Sequence, residues 1–406
     1  MSSATRSIAT LLIGTAAMFL GNGLLQTLVP VRAQLEGFST TAIGLMGTAY
    51  YAGFAAGCLL GPHAVKRVGH IRTFAGFAAL AAALTLAHPL VVEPITWSAL
   101  RGLTGLCLAV LYMVIESWLN DQSGNEVRGR VLSIYIIVAN VVTIGGQLSL
   151  NLYEPKAAAL FSLVAMTIAL SLVPLSLTTA AAPKPIASAK VSITRLFRLS
   201  PTGFVGCLSV GIVEGAFWTL GPIFAQGRHL EVAEITLFMG AFVAGGTLSQ
   251  WPLGRASDKM DRRYVIAGCC LGTVCTGLGL AFVELDSPLA TFALACLHGA
   301  FMIPLYALLL AHANDYAPNE RLVEVSSGLL LVYAGGAVIG PLAVAPVMEV
   351  FGIGGLFLAM AAILGLLALV IAIRVATRPV TAIVERSEFM PVPKTTPSVY
   401  TLEVDD

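Results

Sequence analysis

A few ionisable side chains lie inside long apolar stretches of this 406-residue sequence, and Glu214 is the most informative of them. It lies about thirteen residues into its stretch, which is close to the middle of a helix that could cross a bilayer. Because hydrocarbon disfavours charge, a carboxyl group there favours its neutral, protonated form. Such a group can take up and release a proton. The alternative is a structural carboxyl group that is hydrogen-bonded to a neighbouring helix.

Glu214 belongs to an i,i+4 pair that occurs twice. Glu214 and Trp218 lie 192 residues after Asn22 and Gln26, in stretches that match each other. Residues four apart share one face of a helix. We therefore expect the two pairs to occupy equivalent places on two equivalent helices.

Another apolar stretch presents charged and aromatic side chains on a single helix face, in the order Arg101, Gly105, Leu108, Tyr112, Glu116. Arg101 cannot be neutralised, so it needs an anionic partner, a set of carbonyl groups or a bound anion. Glu214 is one candidate partner. Glu116 has two open interpretations, a site for a proton or small molecule, or one half of an ion pair.

Other chemistry is less strongly indicated. His298 lies in a later apolar stretch, where it is either part of a proton relay or a packed hydrogen-bond donor. The seven cysteines lack metal-ligand spacing. The sequence shows no nucleotide-binding motif and no set of nucleophile, base and acid. We expect no metal, no cofactor, no nucleic-acid partner and no enzymatic activity.

The elements that position these side chains are membrane helices. The chain is 57% hydrophobic and 11% charged, against about 25% charged in soluble domains. Since a spanning helix needs about 20 apolar residues, the sequence predicts twelve spans, at about 8–30, 40–62, 73–92, 95–118, 130–153, 157–179, 201–225, 233–256, 263–284, 288–313, 324–348 and 352–376.

The second half of the chain repeats the first. The offset is 192 residues between Gly23 and Gly215, and 194 between Tyr112 and Tyr306. Two matching sets of six helices are typical of transporters built from parallel repeats. The predicted organisation is an N-terminal bundle at 1–180, a cytoplasmic linker at 181–199 with a short helix near Ile193–Leu199, a C-terminal bundle at 200–378 and a disordered cytoplasmic tail at 379–406.

Basic residues predict the orientation. With both termini in the cytoplasm, 19 of the 23 Lys and Arg residues fall on the inner side. Only Arg32, Lys156 and Arg228 fall on the outer side, and Arg101 lies within a span. An excess of basic residues in cytoplasmic loops is the usual determinant of topology.

Several motifs resemble those of the major facilitator superfamily. The run from Gly254 through Asp258 to Arg263 resembles its loop signature, with Asp261 where a second glycine is usual. The first-half equivalent places Lys66 where an aspartate is common. Further resemblances are Arg101-x-x-x-Gly105 and Gly336-x-x-x-Gly340-Pro341. The run Tyr112-Met-Val-Ile-Glu-Ser-Trp-Leu-Asn120 resembles the bacterial YcaD-like group.

The resemblance implies an all-α integral membrane protein with 12 transmembrane helices in two pseudo-symmetric six-helix bundles. Asn22 and Glu214 would lie on helices that line the central cavity. Asp258 with Arg262 and Arg263 would form a cytoplasmic latch. In the first half, Lys66 and Arg67 would need Asp121 or Glu116 as the acidic partner. The alternative is that these bases only set the topology. Gly336, Gly340 and Pro341 would let a gating helix pack closely and bend.

The sequence thus predicts a monomeric secondary transporter of the bacterial inner membrane. It would move a small organic solute, or export a cationic drug-like compound, by alternating access. We expect H⁺ as the coupling ion and efflux rather than uptake. Two alternatives stay open, an uncoupled facilitator and a non-transporting membrane sensor with the same fold.

Overall fold

The computed structural model describes residues 3–123, 128–177, 192–283, 287–318, 321–377 and Phe389. Every regular element in these ranges is helical. Twelve helical segments are long and apolar enough to cross a membrane. The predicted fold class and the count of twelve spans are therefore confirmed.

The chain forms two compact units, each with six of these segments. The first, within residues 1–188, contains α1 (Ser3–Leu35), α2 (Thr40–Val68), α3 (His70–Ala87), α4 (Pro94–Gln122), α5 (Arg128–Leu148), a 3₁₀ turn (Ser149–Leu152), α6 (Ala158–Leu170) and α7 (Leu172–Ser176). The second, within 189–391, contains α8 (Ile193–Leu199), α9 (Pro201–Gly227), α10 (Val232–Lys259), α11 (Arg262–Phe282), α12 (Pro288–Met302), α13 (Leu305–Asn314), α14 (Leu322–Phe351) and α15 (Gly355–Thr377).

Side chains at the helix starts explain where several helices begin. The Glu93 carboxylate accepts the backbone N–H groups of Ile95 at 3.0 Å and Thr96 at 2.6 Å. These hydrogen bonds lower the pKa of Glu93, because they stabilise its charged form. Pro94 follows at the first helical position. A backbone N–H there would have no acceptor within the helix, so its absence from proline removes no helical hydrogen bond. Asp261 caps α11 in the same way, by accepting the N–H of Arg263 at 3.0 Å.

Two predicted spans are interrupted. The sixth consists of α6 and α7, and the tenth consists of α12 and α13. A proline follows each break, and its missing N–H removes one bond of the helical ladder. Pro174 leaves the carbonyl of Leu170 without its usual partner, and Pro304 does the same for Ala300.

Glycines bring helices into direct backbone contact at repeat-related places. A Cβ atom on Gly146 of α5 would overlap the carbonyl oxygen of Leu20 in α1. In the second unit, a Cβ atom on Gly340 of α14 would overlap the carbonyl oxygen of Ile212 in α9. Pro341 lies inside α14, which continues through it. Close contact in both of these helix pairs therefore requires glycine.

The regions outside the bundles are described only in part. The predicted short helix of the linker is present as α8, with the predicted bounds. The predicted linker is otherwise described only from residue 192, and the predicted tail only at Phe389. Phe389 is held against α10, which differs from the expectation of a disordered tail at this residue.

Candidate functional site

The second unit buries Glu214 at the middle of α9. It is the fourteenth of the 27 residues of this helix and is 2% exposed. The hydroxyl of Tyr333, on α14, donates to Glu214 Oε2 at 2.7 Å. The ring of Tyr333 lies 5.0 Å from that of Tyr306, the repeat partner of Tyr112. The carboxyl group is thus oriented by a neighbouring helix.

Trp218 lies one turn after Glu214 and is only half-buried. Its ring packs edge-on against Phe242 of α10 at 5.8 Å and against Phe217 at 6.3 Å. In the first unit the equivalent residue, Gln26, is also half-buried. The second position of each predicted pair is thus more open than the first.

The first unit builds a polar and aromatic group around α4. The side-chain amide of Asn22, on α1, donates to the Tyr112 hydroxyl at 2.8 Å, and both residues are buried. Tyr112 and Tyr50 both contact the ring of Phe54, at 6.1 and 6.2 Å. Asn22 and Tyr112, two of the predicted site residues, are therefore brought together.

Arg101 is buried at the far end of this aromatic group. Its guanidinium carbon lies 4.2 Å from the centre of the Tyr50 ring, a cation–π contact, and the residue is 5% exposed. Its Nη1 atom has no hydrogen-bond partner among the described residues. None of the ion pairs found in the described part of the chain includes Arg101. A permanent charge in this position calls for an anion or a carbonyl group.

Glu116 is directed to a hydroxyl group rather than to the basic residues at the end of α2. Tyr135 of α5 donates to Glu116 Oε1 at 2.8 Å, and both side chains are buried. Lys66 and Arg67 are exposed in the last turn of α2, and Asp121 is exposed at the end of α4. None of the ion pairs found among the described residues joins Lys66 or Arg67 to Asp121, and the first-half latch stays a prediction.

His298 is packed rather than placed beside Glu214. Its Nδ1 atom lies 2.9 Å from the Thr276 hydroxyl. Its fully buried ring is surrounded by phenylalanine rings, with Phe357 at 5.1 Å and Phe217 at 6.0 Å. This geometry favours the packed interpretation over a proton relay.

The α10–α11 turn carries the charge cluster predicted for the second half. Arg262 is 1% exposed and lies between two carboxylates, with Asp258 at 3.2 Å and Asp315 at 3.4 Å. Arg263 pairs with Asp261 instead of Asp258, and its Nη2 atom lies 2.8 Å from Asp261 Oδ2. The ion pairs thus join Arg262 to Asp258 and Arg263 to Asp261, and a latch formed by Asp258, Arg262 and Arg263 stays a prediction.

Four members of these sites, Tyr135, Tyr333, Asp261 and Asp315, were weakly signalled or missed. Tyr135 and Tyr333 stood out only as tyrosines in apolar stretches, since their hydrogen bonds join residues 19 and 119 positions apart. Asp315 stood out only as a repeat partner of Asp121. The sequence singled out Asp261 only because an aspartate stands where the loop signature usually has a glycine. In the structure Asp261 caps α11 and pairs with Arg263.

Comparisons with known proteins agree with this architecture. The family profile of the Major Facilitator Superfamily matches residues 11–286 and 203–399. The uncharacterized MFS-type transporter YcaD of Escherichia coli O6:K15:H31 (strain 536 / UPEC) is 29% identical over 365 residues, which cover 89% of this chain and 94% of that protein.

Solved structures with the same fold are more distant in sequence. The nucleoside transporter NupG aligns with a TM-score of 0.77 and 12% identity, over 93% of this chain and 100% of NupG. A bacterial homolog of the human lysosomal transporter Spinster, inward-facing and occupied, has a TM-score of 0.73 and 15% identity, over 94% and 97%. This chain therefore belongs to the Major Facilitator Superfamily and is a membrane transporter of YcaD-like type rather than an enzyme.

Proposed function

We propose that the protein is an H⁺-coupled secondary transporter that exports a small organic solute across the bacterial inner membrane and works as a monomer. The observation that carries the proposal is Glu214, a carboxyl group 2% exposed at the middle of a spanning helix. The Tyr333 hydroxyl donates to Glu214 Oε2 at 2.7 Å and orients this carboxyl group. An ionisable side chain at this depth of a spanning helix is a candidate for the group that binds and releases the coupled proton.

Arg101 indicates the class of solute. A buried guanidinium beside an aromatic ring would repel a cationic compound, which makes the cationic drug-like alternative less favourable. A solute with a carboxylate or another anionic group would satisfy the unpartnered Nη1 atom. Its apolar part would pack against aromatic rings such as those of Tyr50 and Phe54. We therefore propose a small organic anion with an apolar portion.

Export follows if the solute and the proton exchange for one another. The inward proton gradient of a bacterial cell would then drive the solute outward. The gating role of Lys66, Arg67, Asp121, Asp258, Arg262, Arg263, Gly336, Gly340 and Pro341 belongs to this proposal, since alternating access requires these helix ends and contacts to change.

The first experiment identifies ligands by thermal stabilisation of the purified protein across a solute panel, because a ligand of the native state raises the melting temperature. The panel contains matched sets with one shared ring, such as benzoate, benzamide and benzylamine. We expect the anionic member to stabilise the wild type and to lose its effect in Arg101→Gln. Stabilisation by the amine alone would contradict the proposed solute class.

The second experiment tests coupling in proteoliposomes with the solute so identified. Glu214→Gln should abolish accumulation driven by a pH gradient while keeping exchange of labelled for unlabelled solute. Glu349→Gln, which changes an exposed carboxyl group of the same unit, is the control. An uncoupled facilitator would keep downhill flux and show no dependence on the gradient in either protein. Absence of any solute flux would favour the non-transporting sensor.

A further inference from the structure

The C-terminal end of α10 holds a residue from far along the chain. The backbone N–H of Phe389 donates to Asp258 Oδ1 at 3.0 Å, across 131 positions of sequence. The Phe389 ring lies on Gly254, one turn earlier on the same helix, where a Cβ atom would overlap three ring carbons. One residue therefore makes a main-chain bond and a ring contact on two successive turns.

The two contacts are chemically distinct. The Asp258 oxygen that accepts the Phe389 N–H also accepts a hydrogen bond from Arg262 Nη2 at 3.2 Å, so the docked residue shares one carboxylate of the charge cluster. A hydrogen bond to an ionised acceptor is stronger than one between neutral groups. The absence of a side chain at Gly254 is what admits the ring.

We propose that Gly254 and Asp258 form a docking site for the chain's own C-terminal segment, occupied by Phe389, and that its occupancy restrains the α10–α11 turn. Phe389 thus binds the turn as a ligand would, while it stays covalently linked to the chain. When Phe389 leaves, Asp258 keeps only its bonds within the charge cluster, and the α10 end is uncovered. This inference does not depend on the solute or on proton coupling, because it concerns contacts within the second unit alone.

Limited trypsin digestion of the purified full-length protein tests the docking. Arg386 lies three residues before Phe389, and a protease needs the chain around its cleavage site to be released. Because cleavage follows the population of the released state, we expect Phe389→Ala to speed cleavage after Arg386 by about tenfold. The rate is measured by mass spectrometry of the released peptide.

A matched pair of glycine variants tests the docking site itself. Gly254→Ala places a methyl group where the ring lies, whereas Gly268→Ala, on α11, meets no atom within 4 Å. We expect Gly254→Ala to speed cleavage as Phe389→Ala does, and Gly268→Ala to cleave like the wild type. Equal rates in wild type, Phe389→Ala and Gly254→Ala would overturn the docking site.

Amide hydrogen exchange tests the restraint on the turn. We expect faster exchange at residues 255–263 in Phe389→Ala, a variant that leaves every side chain of the two bundles unchanged. Unchanged exchange there, together with faster cleavage, would show that the segment docks without restraining the turn and would overturn that half of the proposal.

Discussion

At the scale of single residues, the hydrogen bond between Tyr333 and Glu214 is the contact most open to test. Tyr333→Phe removes the hydroxyl that donates to the carboxylate at 2.7 Å and keeps the ring that packs on Tyr306. A hydrogen bond to a charged group contributes about 1.5–3 kcal/mol. We expect gradient-driven accumulation to fall by about tenfold or more, because the hydroxyl that orients the proposed proton site is lost.

The control for this variant is Tyr264→Phe, which removes a hydroxyl from an exposed tyrosine of the same unit. Accumulation should be unchanged in the control. If both variants lost accumulation, or if neither did, the Tyr333 hydroxyl would have no specific role in proton coupling.

At the scale of helices, the close packing of α9 against α14 predicts how much a glycine substitution changes the free energy of unfolding. A methyl group at Gly340 would overlap the carbonyl oxygen of Ile212, so one helix must move. We expect Gly340→Ala to lower the free energy of unfolding by about 1–3 kcal/mol. The comparison is Gly335→Ala, on an exposed face of the same helix, where the added Cβ meets no atom within 4 Å.

Because alanine favours helix over glycine, Gly335→Ala should be neutral or stabilising by up to about 1 kcal/mol. Both variants are measured by thermal unfolding in one detergent. If the two substitutions had equal effects, close backbone contact would not be what requires glycine at Gly340.

A buried histidine at the end of α3 gives the first unit a pH-dependent stability. His88 is fully buried, its ring stacks on Phe161 of α6 at 5.6 Å, and its carbonyl oxygen accepts the indole N–H of Trp97 at 3.0 Å. Burial, with a smaller contribution from the charge of Arg101, lowers the pKa of His88 from 6.5 to about 4.

The direction in which stability changes with pH follows from the difference between the pKa values of His88 in the folded and unfolded chain. The unfolded chain binds a proton at His88 below pH 6.5, whereas the folded chain binds it only near pH 4. The stabilisation from the neutral ring is therefore complete above pH 6.5 and is lost as the pH falls toward 4. The loss amounts to about 3 kcal/mol at most.

We expect His88→Gln to flatten the dependence of the melting temperature between pH 7 and 4.5, and His63→Gln, on an exposed histidine, to leave it unchanged. An equally steep dependence in His88→Gln would assign the effect to other groups.

At the scale of the whole molecule, the sequence predicted what depends on local composition and missed what depends on distant partners. Apolar length and local composition predicted the twelve spans and the helix at Ile193–Leu199. These follow from the local cost of exposing the backbone to lipid.

Contacts between polar side chains on different helices could not be predicted from the sequence in the same way. Arg263 had two acidic residues before it in the same turn, Asp258 and Asp261, and it pairs with Asp261, which also caps its helix. Glu116 had bases within reach by topology, and the Tyr135 hydroxyl on the next helix donates a hydrogen bond to its carboxylate. Which of several polar groups meet depends on helix rotation and packing, which a hydrophobic pattern fixes only to within a face.

The charge distribution of the whole chain predicts which lysines face each side of the membrane. Of the six lysines, only Lys156 falls on the predicted outer side, and it is exposed in the turn before α6. The others are Lys66, Lys184, Lys190, Lys259 and Lys394. Because basic residues are retained in the cytoplasm, a membrane-impermeant amine reagent should label only Lys156 on right-side-out vesicles. On inside-out vesicles it should label Lys66 and Lys259 but not Lys156.

Mass spectrometry of the labelled peptides reads both results. Lys156→Gln serves as the control, because it should abolish labelling from outside while leaving the inner pattern intact. Labelling of Lys66 or Lys259 on right-side-out vesicles would place the α2 and α10 ends outside, and both termini would then be outside as well. The proposed latch at Asp258 would in that case face the wrong compartment, so this one experiment tests the orientation on which the gating assignments depend.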